Sequence, residues 1–127
     1  MNNIYLLAGI VLVVAGAIIG LTNGGEVEYY QVGVASWYGP NFQGKTTANG
    51  ETFDMNELTA AHKSLPFGTR VRVWDLETKR KVVVRINDRG PFVKGRIIDL
   101  SKRAASKLGI VDSGIAEVGL EILSWGD

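Results

Sequence analysis

Four stretches of this chain carry side chains able to do chemistry. The first, "VRINDRGPF" from Val84 to Phe92, runs out of a β-branched segment into a charged turn. Asp88 has two readings there. Its carboxylate can bond backbone amides and shape the turn while Gly90 takes a positive φ, or it can be a general acid held at the end of a buried strand between Arg85 and Arg89. A nearby arginine favours the ionised form and burial the protonated one, so its state stays open. The second, "LTAAHKSLPFGT" from Leu58 to Thr69, holds the only histidine, His62. That imidazole is structural unless an acid faces it. In "GRIIDLS", Gly95 to Ser101, Asp99 either braces the junction that Ser101 opens or is the second carboxylate of a glycosidase-like pair; bracing is the favoured reading. The fourth, "ASWYGPNFQGKTTANGE" from Ala35 to Glu51, sets Trp37, Tyr38 and Phe42 among glycines. Such aromatics form a platform for sugar rings or plug the end of a barrel.

Short elements must position these groups. Hydrophobic patterning predicts strands at Val32–Tyr38, Thr69–Trp74, Lys81–Asn87, Arg96–Leu100 and Ala116–Leu123, with an irregular stretch from Gly39 to Asp54 and a helical turn near Asn56–Ala61. Arg70-Val71-Arg72-Val73 alternates as a half-exposed strand does, whereas Val82-Val83-Val84 is continuous and implies burial on both faces. One helix is expected at Lys102–Leu108, capped by Ser101 and Gly109, with Ala104, Ala105 and Leu108 on one face. This pattern reads as a compact β-barrel with one or two short helices.

Composition narrows the chemistry. The 127 residues allow one compact domain and a short appendage. With no cysteine and one histidine, a disulfide framework, a thiolate nucleophile and the common zinc sites are excluded, and no metal or other cofactor is expected. Reactivity must rest on oxygen and one imidazole. The net charge of +1 conceals a basic centre: 13 of the 14 Lys and Arg lie between Lys63 and Lys107, with four acids among them. Such a centre suits an anionic partner or surrounding, whether nucleic acid, phospholipid or cell-wall polymer.

Ile4 to Leu21 has no charged side chain over 18 positions, the lower limit for a bilayer-spanning helix. It is expected to be an N-terminal hydrophobic helix, either a signal anchor or a signal peptide cut after Ala15-Gly16-Ala17. The anchor is favoured because apolar sequence continues past that pattern and no basic n-region precedes it. The polar stretch 22–31 reads as a linker, and the folded domain, 32–127, as exported.

Taken together, "ASWYG", "TANGE.FDM..LTAAH..LPFGT", "VRINDRGPF" and "GRIIDLS" resemble the double-psi β-barrel domain of the rare lipoprotein A family, bacterial septal-ring lytic transglycosylases. The resemblance runs from Gly33 to Leu123 and implies a six-stranded barrel in the cell envelope, on the periplasmic or extracytoplasmic face. It also implies cleavage of peptidoglycan glycan strands, preferably free of peptide, to leave 1,6-anhydro ends. His62 and Asp88 fall on the residues that the family ties to activity, with Asp88 as acid and then base and His62 bonded to Asp88 or to the sugar. Trp37, Tyr38, Phe42, Glu51, Arg85, Arg89 and Asp99 are the substrate-binding candidates, with Arg85 or Arg89 facing the muramic lactyl carboxylate. The inner membrane, reached through the N-terminal helix, and division-site proteins are candidate partners; nucleic acid is not expected, because the segment directs export. The alternative is a non-catalytic, expansin-like module that grips wall polysaccharide.

Overall fold

The computed structural model describes residues 11–14, 17–22 and 25–127. Six strands close into a barrel: β4 (Gln31–Trp37), β5 (Thr59–His62), β6 (Arg70–Asp75), β7 (Lys81–Asp88), β8 (Arg96–Leu100) and β9 (Ile115–Ser124), in the order β4-β8-β5-β7-β6-β9. The pairs β4–β8 and β5–β7 are parallel and the other four antiparallel. Their inward side chains, among them Ala35, Ala60, Val71, Val73, Val84, Ile86, Ile98, Leu100, Val118 and Leu120, make one continuous core. In β7, Val82 and Val84 face it while Val83 is half-buried on the other side, so the apolar run is not buried on both faces.

The single α-helix, α1 (Lys102–Leu108), forms where its caps predict. The Ser101 hydroxyl accepts from the Ala104 amide at 3.2 Å, and Gly109 ends the helix at φ 85°, a conformation that glycine adopts without strain. Ala104, Ala105 and Leu108 seal one end of the core.

The sixth strand, β5, lies where a helical turn was expected. Thr59, Ala60, Ala61 and His62 are all buried between β7 and β8. Ladder pairing on both sides overrides the helical preference of the two alanines, whose small side chains fit the centre of the sheet.

The hydrophobic helix expected over Ile4–Leu21 falls in large part on residues 1–10 and 15–16, outside the described residues. Within its span, β1 (Val11–Val14) and β2 (Ala17–Thr22) run as strands and pair in a sheet with β3 (Gly25–Tyr29), which occupies the stretch read as a linker. Among the described residues no helix is long and apolar enough to cross a membrane.

Candidate active site

Two β-bulges build the site. Between β5 and β7 the register runs Ala60 with Ile86, then Ala61 with Asp88, leaving Asn87 as the extra residue. Strict alternation would point Asp88 inward with Ile86; the bulge turns it onto the opposite face, beside Ala61. Between β4 and β8, Val34 pairs with Arg96 but Ala35 with Ile98, so Ile97 is extra and Arg96 is turned to the face that carries Asp99. Gly33 makes room for that second bulge, since a Cβ there would lie 2.7 Å from Cγ2 of Ile97.

The result is a row across four adjacent strands: Ser36, Asp99, Ala61 and Asp88, each paired in register with the next. Ala61 sits between the two carboxyl groups. Ser36, Asp99 and Asp88 line a groove of roughly 300 Å³ whose walls also include Trp37, Tyr38, Phe42, Arg89, Phe92 and Arg96, with Ala61 buried beneath.

The two carboxyl groups are held differently. Oδ1 of Asp88 accepts from the backbone amides of Ala48 and Arg89, both at 2.9 Å, and Oδ2 accepts from the Tyr38 hydroxyl at 2.7 Å. With amide donors on Oδ1, a proton on this carboxyl can sit only on Oδ2. Asp99 accepts from Ser36 Oγ at 3.1 Å. Burial pushes the Asp99 carboxyl above its ordinary range; the Ser36 bond and Arg96 oppose the rise, and the charge of Asp88 adds to it. Tyr38 is buried, stacked on Phe53 and edge-on to Phe42. Burial, the bond to Asp88 and the two carboxylates together raise its hydroxyl, which keeps it a donor.

The loop between β4 and β5 delivers two of these donors, the Tyr38 hydroxyl and the Ala48 amide. The Asn49 amide bonds the Asn87 carbonyl at 3.2 Å, which fixes Ala48 over Asp88. Glu51 anchors the same loop through a two-pronged ion pair with Arg85, at 2.6 and 2.8 Å. That pair holds the Glu51 carboxyl down at about 2, with help from Asn49.

The predicted residues therefore divide. Asp88, Asp99, Trp37, Tyr38, Phe42 and Arg89 line one groove. Glu51 and Arg85 are joined to each other, and Arg85 lines a separate hollow with Glu57, Thr59 and Arg70. Arg89 sends Nη1 to the carbonyls of His62 and Leu65, at 3.3 and 2.8 Å, and lies 3.9 Å over the Phe67 ring.

His62 does not meet Asp88. It follows Ala61, so its side chain points to the opposite face of β5 and is 3% exposed. Nδ1 accepts from the amides of Ser64 and Leu65, both at 3.1 Å, which puts the ring proton on Nε2, 2.8 Å from Oε1 of Gln31. Burial, then the charges of Arg89 and Lys63, lower the imidazole to about 4. Its tie to the site runs through the chain: His62 shapes the turn whose carbonyls hold the Arg89 side chain, and the Arg89 amide holds Asp88.

Phe92 and Arg96 also line the groove and were not anticipated. Phe92, 84% exposed, follows the cis Gly90–Pro91 peptide, and its place at the end of "NDRGPF" was the available signal. Arg96 had none, because only the bulge turns it to this face.

Residues 30–120 match the family described as lytic transglycolase. Over 94 residues the chain is 58% identical to the endolytic peptidoglycan transglycosylase RlpA of Campylobacter jejuni, covering 74% of this chain and 34% of that protein. It is 62% identical over 91 residues to a probable endolytic peptidoglycan transglycosylase RlpA of Synechocystis, covering 72% and 28%, and 52% identical over 100 residues to RlpA of Pseudomonas aeruginosa, covering 76% and 29%. The chain thus spans about a third of the length of these relatives. Among solved structures, the Streptomyces papain inhibitor superposes with a TM-score of 0.61 at 22% identity, over 77% of this chain and 99% of that one. An expansin from Clavibacter michiganensis gives 0.58 at 23%, over 76% and 51%. At such identities these two likenesses bear on the fold alone, a double-psi β-barrel.

Proposed function

The chain belongs to the lytic transglycolase family, and from that membership we propose that its barrel cleaves peptidoglycan glycan between N-acetylmuramic acid and N-acetylglucosamine, leaving a 1,6-anhydro end. The observation that carries this reading is the pair of carboxyl groups in one groove, Asp88 fixed by three donors and Asp99 largely buried across Ala61.

The reaction needs one proton delivered and then recovered. Asp88 passes that proton to the glycosidic oxygen as the bond from C1 to that oxygen breaks. The muramic 6-hydroxyl then adds to C1 and returns its proton to the carboxylate, so no water is consumed. The rigid hold on Asp88 supports this role, since proton transfer requires a preset donor. Trp37, Phe42 and Phe92 supply apolar faces for the sugar rings. His62 acts as a positioning residue through the turn that anchors Arg89. The uncharged run Ile4–Leu21 supports an envelope location, with the domain outside the cytoplasmic membrane and division-site proteins as candidate partners.

The test is mass spectrometry of soluble products from peptide-free glycan, with the parent chain beside Asp88→Asn. Anhydromuramic ends from the parent and a loss of about 10²–10⁴-fold in the variant are expected. Glycan bound but uncut by both would make the barrel a wall-binding module.

A further inference from the structure

The groove walls carry two carboxyl groups, which repel an anionic substrate unless a cation offsets them. The muramoyl unit is such a substrate, because its lactyl group ends in a carboxylate. That group hangs from C3, two ring bonds from the reacting C1, so a cation serving it must lie within one ring of the acid. The two arginines expected to do this are engaged elsewhere. Arg85 forks onto Glu51, and Arg89 is spent on two backbone carbonyls and the Phe67 ring.

Arg96 remains. The bulge at Ile97 turns it to the carboxylate face, it lines the groove with Asp88 and Asp99, and its charge acts on Asp99. Among the described residues its guanidinium carries no hydrogen bond or ion pair to the protein, leaving its donor fork free for a planar carboxylate. We propose that Arg96 binds the lactyl carboxylate of the muramoyl unit whose C1 reacts. This rests on the transglycosylase reading and adds to it the residue that selects the ring.

The test compares two glycans, one with free lactyl carboxylates and one with the same groups converted to methyl amides, against the full chain and Arg96→Gln. A charged hydrogen-bond pair predicts that amidation lowers the parent's kcat/KM by about 10–100-fold. Arg96→Gln is expected to be slower on the free carboxylate by a similar factor and indifferent to amidation, with Arg96→Lys in between. A variant that still discriminates by the parent's factor overturns the proposal. Equilibrium binding of both glycans, measured in an Asp88→Asn background with and without Arg96→Gln, keeps the two readings separate. If the parent cleaves neither glycan, the transglycosylase reading fails, while the binding ratio still decides for or against Arg96.

Discussion

The Tyr38 hydroxyl donates to Oδ2 of Asp88 at 2.7 Å across fifty residues of chain, on the only oxygen of that carboxyl not already claimed by backbone amides. Tyr38 sits at the foot of the aromatic stack with Phe42 and Phe53, so the orientation of the acid is set by the packing of the loop over it.

Removing that hydroxyl leaves the stack intact. Tyr38→Phe is expected to lower kcat by about tenfold, the worth of one hydrogen bond to a charged group, with KM little changed. Steady-state kinetics on peptide-free glycan check this; a rise in KM alone would make Tyr38 a sugar contact.

Asp99 is the groove carboxyl whose proton affinity is raised, by burial first and then by the charge of Asp88. Asp99→Asn removes that titrating group, so a limb of the pH–rate profile lying above the ordinary carboxylate range should be lost. An unmoved limb would return Asp99 to a bracing role.

Ala61 is the spacer of the site, 2% exposed and paired with both Asp88 and Asp99. Ala61→Leu overfills this seat and presses on Tyr38 and Phe53, at a cost of about 1–3 kcal/mol in denaturant unfolding. Activity should fall further than the stability loss explains, since the carboxyl groups are pushed apart.

His62 makes stability depend on pH. Buried neutral at about 4 against an ordinary 6.5, it resists a proton that the unfolded chain accepts. Its contribution is therefore full above pH 6.5 and is lost as pH falls through about 4, by something on the order of 3 kcal/mol. Urea titrations across that window should show the slope, and His62→Gln should flatten it.

Local signals were legible where the chain acts locally. Ser101 and Gly109 marked the ends of α1, and alternating Arg and Val marked β6. The four stretches led to Asp88, Asp99, Trp37, Tyr38 and Phe42 in one groove. What stayed hidden depends on pairing between distant segments. Alternation in "VRIND" and "GRIID" puts Asp88 beside Ile86, and Arg96 beside Ile98 and away from Asp99; only the register shifts at Asn87 and Ile97 reverse this. The alanines of β5 read as helical until two neighbouring strands claim their backbone. An imidazole on the strand next to an acid looked like its partner, yet one step of alternation sends it to the other side of the sheet.

The row Ser36, Asp99, Ala61 and Asp88 also has a consequence in time. Its four members come from strands far apart in the chain, and β4, which brings Ser36, is paired with β8 on one side and β9 on the other. A complete but unfolded chain holds all four residues without the row. Because such long-range pairings form late and slowly, regain of activity on refolding should coincide with the slowest pairing step rather than precede it.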